Sequence, residues 1–168
     1  RAARRTFRTP FSLELEGHGD TLDLKTLLRV VPGRRAVFSG LWMGRKVAAK
    51  LFLRPLRFRR HLRRETAGLR ALHRAGIPTP ELLFAGKAKR SSCGVLLTAY
   101  LEGARPLTDL WAEGCDPDHR LRLLKALVRL IAQMHHHGLS QRDLHPGNFL
   151  VCGDQIHSVD GSAIRIGF

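Results

Sequence analysis

Apolar and polar residues first alternate at Phe11, Leu13 and Leu15, a period of two that predicts a short strand, and Gly17-His-Gly-Asp20 then supplies a turn. Thr26 to Val31 is a second apolar run, stopped by Pro32-Gly33. Ala36 to Trp42 and Lys46 to Leu53 read as two more strands around Met43-Gly44-Arg45, which together make an antiparallel meander. From Phe58 to about Ala75 the period lengthens to that of a helix, with Gly76 as its stop and Pro78 beyond. Leu62, Leu69 and Leu72 share one face of this helix, and Glu65 falls on the same face. A carboxylate on a buried stripe requires a partner; a rim position beside a neighbouring arginine is the other reading.

Ile77-Pro-Thr-Pro80 predicts a rigid connector. Leu82 to Ala85 and Val95 to Leu101 then read as strands joined by the basic hairpin Lys87 to Ser92, and Glu102-Gly103 breaks the pattern. A short helix is expected at Leu107 to Trp111. A long amphipathic one follows at Pro117 to His137, with Asp116 or Asp118 near its start and Leu124, Leu127, Val128, Ile131 and Met134 along one face. Phe149 to Cys152 and Ile156 to Val159 predict a hairpin around Gly153-Asp154. Residues 1–10 are basic and aperiodic, and a flexible arm is expected there.

Length and composition add bounds. At 168 residues with 43% hydrophobic content the chain can bury a core as one domain or as part of a larger one. Its 29 Lys and Arg against 14 Asp and Glu give a net charge of +15, which suits phosphate-rich partners, although an arginine-favouring genome gives the same number. No aromatic-interleaved basic motif accompanies the charge, and no nucleic-acid partner is expected. Cys93, Cys115 and Cys152 are widely spaced and odd in number, as free thiols of a reducing compartment would be. No apolar run is long enough to span a membrane, and a cytoplasmic protein is expected. Starting at Arg1 and stopping seven residues after Asp160-Gly161, the chain reads as a trimmed fragment.

The candidate chemistry lies in Gln141-Arg-Asp-Leu-His-Pro-Gly-Asn-Phe-Leu150 and in Asp160-Gly161. Asp143 precedes Asn148 by five residues and Asp160 follows a short apolar run, a spacing able to set a base beside a hydroxyl and two oxygen ligands on a magnesium ion. The protein-kinase catalytic loop has the form H-R-D-L-x-x-x-N followed by Asp-Phe-Gly; here Gln141 replaces the histidine and the phenylalanine is missing. Lys50, within an apolar strand, is either an outward-facing residue or the lysine that such an enzyme sets on the α- and β-phosphates of ATP, paired with a helix glutamate, here Glu65. His135-His-His137 invites a metal reading, but three consecutive helical residues point in three directions.

Lys46-Val-Ala-Ala-Lys50, Arg64-Glu65 leading to Gly76-Ile-Pro-Thr-Pro80, Thr98-Ala-Tyr-Leu-Glu-Gly103, the Arg142 to Leu150 loop and Val159-Asp-Gly161 together resemble the bacterial lipopolysaccharide core kinases, which act on Kdo or heptose with a protein-kinase-like fold. The likeness covers about residues 26–162. It implies an α+β fold: a five-stranded antiparallel small lobe with one helix, and a truncated helical large lobe carrying the catalytic loop. The expected divisions are an arm and short strand at 1–25, small lobe and hinge at 26–103, and a partial large lobe at 104–168. It implies ATP and Mg2+ as cofactors, Lys50 on the phosphates, Glu65 orienting it, Asp143 as base, and Asn148 and Asp160 on the metal. Backbone groups at Ala99 to Leu101 would meet the adenine edge. No glycine-rich phosphate loop is present; Pro32-Gly-Arg-Arg35 stands in its place, and Arg34 and Arg35 are expected to contact phosphate instead. The implied acceptor is a sugar or glycolipid, reached at an anionic inner-membrane surface on its cytoplasmic side, with Arg57, Arg59, Arg60, Arg63 and Arg64 as contacts. A protein or antibiotic-type small-molecule kinase, and an inactive kinase-like scaffold, are the alternatives.

Overall fold

The turn signals spaced between the strands of the first hundred residues fold those strands back and forth into one sheet. The computed structural model describes residues 7–114 and 116–167. The first six residues of the expected flexible arm, and the expected free thiol of Cys115, lie outside the described residues. The chain divides into two units, Arg1–Arg63 with Glu81–Tyr100, and Arg64–Pro80 with Leu101–Phe168.

The first unit holds β1 (Phe11–Glu14), β2 (Thr21–Val31), β3 (Arg35–Trp42), β4 (Arg45–Phe52), β5 (Leu82–Lys87) and β6 (Gly94–Ala99), all antiparallel in the order β1-β2-β3-β4-β6-β5. The expected five strands are thus joined by β1. The sheet curls until its first and last strands meet: Leu15 bridges Ala88, the Glu16 N–H donates to the Lys87 carbonyl at 2.9 Å, and the Lys89 N–H donates to the Glu14 carbonyl at 2.7 Å. Inside lie Leu15, Leu22, Leu24, Phe38, Val47 and Leu97, all fully buried. Phe38 meets Phe11 edge-on with centroids 5.4 Å apart, a geometry that adds about 1 kcal/mol to its area burial.

β2 begins five residues before the expected Thr26. Bulges at Leu24/Thr26 and Leu27/Arg29 reset its alternation, so Leu22 and Leu24 are buried while Leu27, Leu28 and Val30 are exposed. A strand that changes faces midway loses the period-two signature on which its start would be read.

α1 (Phe58–Arg74) matches the expected helix. It ends in a paired capping motif: the Ile77 N–H donates to the Leu72 carbonyl and the Gly76 N–H to the His73 carbonyl, with Gly76 at φ 66°. Ile77 is buried in the same cluster as Leu72, the apolar contact that accompanies this cap. Residues of α1 from Arg64 onward belong to the second unit.

The second unit adds β7 (Arg105–Pro106), α2 (Leu107–Ala112), α3 (Pro117–His136), β8 (Leu139–Gln141), β9 (Phe149–Cys152), β10 (Gln155–Ser158) and β11 (Ile164–Ile166). α3 starts on Asp116, whose carboxylate accepts the His119 N–H at 3.0 Å, with Pro117 as the first helical residue. Its buried stripe is a correction. Leu123, Leu130 and Met134 face the core with Leu127 partly buried, whereas the expected Leu124 and Val128 stand open to solvent. The helix carries two apolar stripes, and the one facing Leu107, Phe149, Val151 and Ile156 is chosen by those partners. The β9–β10 hairpin stands where expected, with Gly153 at φ 59° in its turn. β7, β8 and β11, each of two or three residues, are too short to show a period.

Candidate active site

The second unit builds a hydrogen-bonded sequence from the loop between β8 and β9 to the end of β10. The Asp143 side chain is exposed, and its Oδ1 accepts the His145 N–H at 3.3 Å. Asn148 closes a 3-10 turn at Pro146–Asn148 and is 5% exposed; its Nδ2 donates to the Asp143 carbonyl at 3.0 Å. With the amide nitrogen directed into the loop, Oδ1 is the atom Asn148 presents on its other side. The Asn148 carbonyl accepts the Val159 N–H at 3.0 Å, so Asn148 and Asp160 flank the open end of the hairpin. Asp160 is 7% exposed, and its Oδ1 accepts both the Ser162 N–H at 3.1 Å and the Ser162 hydroxyl at 2.7 Å.

Two ties hold this end of the hairpin. β8 pairs with β11, Gln141 opposite Ile164, and the Arg142 N–H donates to the Ala163 carbonyl at 2.9 Å, so the entrance to the loop is fixed to the exit from Asp160-Gly161. The connector Ile77 to Pro80 supplies the other: the Ser158 N–H donates to the Pro78 carbonyl at 2.9 Å, and the Thr79 hydroxyl donates to the Ser158 carbonyl at 2.8 Å. The Gly76-Ile-Pro-Thr-Pro80 run therefore does more than link: it grips β10 two residues before Asp160.

Glu65 belongs to the same unit. It is fully buried, not a rim residue, and its Oε1 accepts the Gly161 N–H at 3.2 Å. Glu65, Asp143, Asn148 and Asp160 are thus brought together through three short backbone segments. An amide oxygen and a carboxylate are hard oxygen donors of the kind Mg2+ takes, and the ordered Asn148 amide fits that use. Among the described residues no group of three or more His, Cys, Asp or Glu side chains could hold a metal, so an ion here would be held by this smaller set.

In the first unit Lys50 is half-buried, opposite Val37 on one side and Leu96 on the other. Val47, Ala49 and Leu51 of β4 turn into the core, which puts Lys50 on the other sheet face with Ala48. Arg35, one step diagonal to Lys50 through the Arg35–Phe52 pair, shares that face. The turn before Arg35 is tight: the Arg34 N–H donates to the Val31 carbonyl at 3.0 Å, with Gly33 at φ 64° after Pro32. Arg34 is exposed at its corner. The Arg54 Nε donates to the Gly33 carbonyl at 3.4 Å, which adds a third guanidinium beside the turn. Nothing in the sequence pointed to Arg54, since its placement depends on the β3–β4 register.

The backbone expected to meet an adenine edge is partly engaged. The Ala99 N–H donates to the Glu81 carbonyl at 2.8 Å, and the Tyr100 N–H to the Lys46 carbonyl at 3.2 Å. This narrows the expected contact to other groups around Leu101, whose carbonyl accepts the Ala104 N–H at 3.3 Å.

Comparison with known proteins bears on the family and the fold. The family model described as "Lipopolysaccharide kinase (Kdo/WaaP) family" matches residues 25–164. No curated protein matches the chain. Among solved structures, the BubR1 kinase domain is similar with a TM-score of 0.69 and 16% identity, covering 95% of this chain and 51% of that one. The PknI kinase domain of M. tuberculosis is similar with a TM-score of 0.61 and 18% identity, covering 94% of this chain and 62% of that one. At these identities the likeness is one of fold, and the fold is kinase-like. The chain spans roughly half to three fifths of the length of these kinase chains.

Proposed function

Because the chain belongs to the lipopolysaccharide kinase (Kdo/WaaP) family, we propose that it transfers the γ-phosphoryl group of ATP to a hydroxyl of a lipopolysaccharide inner-core sugar, Kdo or heptose. The observation that carries this reading is the run of hydrogen bonds from Asp143 through Asn148 to Val159, which brings Asp143, Asn148 and Asp160 to one end of a hairpin and supports their use as base and oxygen ligands. Asp143 accepts the proton of the sugar hydroxyl; it is exposed, and the His145 N–H steadies its carboxylate. Asn148 and Asp160 would hold Mg2+, which when bound neutralises the charge of the phosphates. Lys50 binds the α- and β-phosphates and Glu65 orients it. Arg34 and Arg35 contact phosphate from the turn where a glycine-rich loop would otherwise present backbone amides, and Arg54 reinforces them. The adenine edge meets the backbone groups left open around Leu101. Such a transfer depends on positioning and charge neutralisation more than on covalent help from the protein.

The acceptor lies at a membrane surface. The net charge of +15, and the exposed Arg57, Arg59, Arg60, Arg63 and Arg64, support peripheral association with an anionic bilayer on its cytoplasmic side. Leu56, 99% exposed between Pro55 and Arg57, is suited to enter the headgroup layer. Among the described residues no helix is long and apolar enough to cross a membrane.

The test is transfer of radiolabelled phosphate from ATP and Mg2+ to core glycolipids carrying Kdo or heptose. Label on the sugar, lost in Asp143→Ala, is the expected result. Label only on a peptide or an aminoglycoside would move the acceptor to that class. Nucleotide binding without transfer to any of them would favour the scaffold reading.

A further inference from the structure

Gly68 lies in the middle of α1, where glycine costs about 1 kcal/mol relative to alanine. Its packing supplies a reason. A Cβ built on Gly68 would overlap the Gly161 carbonyl oxygen, with the Gly161 carbonyl carbon 2.7 Å away. A Cβ on Gly161 would in turn overlap the Glu65 carbonyl oxygen and lie 2.8 Å from the Leu69 backbone nitrogen. Both glycines are therefore needed for the helix backbone and the turn after Asp160 to touch. Two hydrogen bonds close the contact: Gly161 N–H to Glu65 Oε1 at 3.2 Å, and Arg64 Nη2 to the Ser162 carbonyl at 3.1 Å. Ser162 in turn holds Asp160 Oδ1 by its N–H and its hydroxyl.

We propose that Gly68 and Gly161 are positioning residues: they lock the second half of α1 to Asp160-Gly161-Ser162 as one joint that fixes the direction of the Asp160 carboxylate. Glu65 then serves the site through the Gly161 N–H as well as through any cation it orients. A side chain at either glycine drives the turn off the helix and carries Asp160 with it. The inference rests on reading Asp160 as the ligand of a divalent cation, and its test separates the two ideas.

Hydrogen–deuterium exchange of the peptide covering residues 159–166, measured without metal, reports the joint by itself. Protection is expected in the parent chain and its loss in Gly68→Ala; equal exchange in the two, or open-loop exchange in the parent, would overturn the proposal. Mn2+ affinity in the presence of a non-hydrolysable ATP analogue, followed by electron paramagnetic resonance, reports the consequence. Gly68→Ala is expected to weaken it at least ~10-fold, because the displaced turn carries Asp160 with it, and Ser162→Ala by ~3-fold, for the loss of one hydroxyl hydrogen bond. Glu65→Gln keeps an oxygen for the Gly161 N–H, so the metal-free protection of residues 159–166 is expected to persist in it. If Gly68→Ala does not fold, Ser162→Ala and Glu65→Gln decide: unchanged Mn2+ affinity in Ser162→Ala, or lost protection in Glu65→Gln, would sink the joint. A parent chain that binds no Mn2+ overturns Asp160 as ligand, and with it the positioning role, even where exchange shows the contact to be formed.

Discussion

The side-chain amide of Asn148 donates to the backbone carbonyl of Asp143 at 3.0 Å, so the proposed metal ligand also fixes the loop that carries the proposed base. Substituting Asn148→Asp keeps an oxygen ligand but sets a carboxylate against that carbonyl. Loss of the bond and the new repulsion are expected to cost about 1–3 kcal/mol of stability. Transfer should fall in step, whereas Asp143→Asn should lower kcat by about 10²–10⁴-fold with ATP affinity nearly unchanged. Thermal denaturation alongside steady-state kinetics separates the two variants. Matching profiles would contradict the division of roles.

At the turn before β3, removal of Arg34 and Arg35 together is expected to weaken ATP binding by roughly 10-fold or more, as loss of charge-assisted contacts should. Arg54→Ala should have a smaller effect, because its guanidinium already donates to Gly33. Isothermal titration with an ATP analogue measures all three. Unchanged affinity in the double variant would remove the arginines from the phosphate site.

His157, on β10, is held below its ordinary pKa by burial, and its Nδ1 has no hydrogen-bond partner among the described residues. In the unfolded chain this imidazole takes up its proton near 6.5, in the folded chain only at lower pH. Between those values the unfolded state binds more protons, so stability is complete above 6.5 and declines as pH falls through that window. Urea midpoints measured between about pH 7 and pH 5 should drop. In His157→Phe the drop should be shallower, and an identical slope would assign it to other groups.

The two apolar stripes of α3 differ in burial, and substitution should expose the difference. Leu123→Ala is expected to cost about 2–5 kcal/mol, because Leu123 is 1% exposed. Val128→Ala, at a position 58% exposed, should stay within about 0.5 kcal/mol. Chemical denaturation of both variants checks this; comparable losses would mean that the Val128 face is also covered.

Thr79→Val keeps the shape of the connector and removes the hydroxyl that holds the Ser158 carbonyl. A loss of about 1 kcal/mol in folding stability is expected. The exchange protection of β10 should fall with it, and unaltered protection would show that the Pro78 contact suffices.

What the residues reveal in advance depends on whether their partners are near in sequence. α1 was legible from Phe58 to its stop because its cap uses Gly76 and Ile77, only a few residues past its last turn. Asp143 and Asn148 were legible for the same reason, five residues apart on one loop. Glu65 stood out as a polar residue on an apolar face, although its hydrogen bond to Gly161, 96 residues away, could not be read. The β8–β11 ladder, the β2 bulges and the buried side of α3 are settled by surfaces that only the folded chain assembles. Gly68 lay between these cases. A lone glycine inside a helical pattern hints at close approach, but what approaches it is beyond local reading.

The meeting of Leu15 with Ala88 has a consequence for how copies of this chain behave in solution. A sheet of six strands ordinarily ends in two rows of unpaired backbone groups, and those rows are where one molecule can add to another and begin to aggregate. Here the segment after β1 lies across the end of β5, and each covers the other. A chain shortened to begin at Thr21 would uncover both rows at once. It would also strip Leu15 from the core, and light scattering on warming should show it clumping where the longer chain stays dispersed.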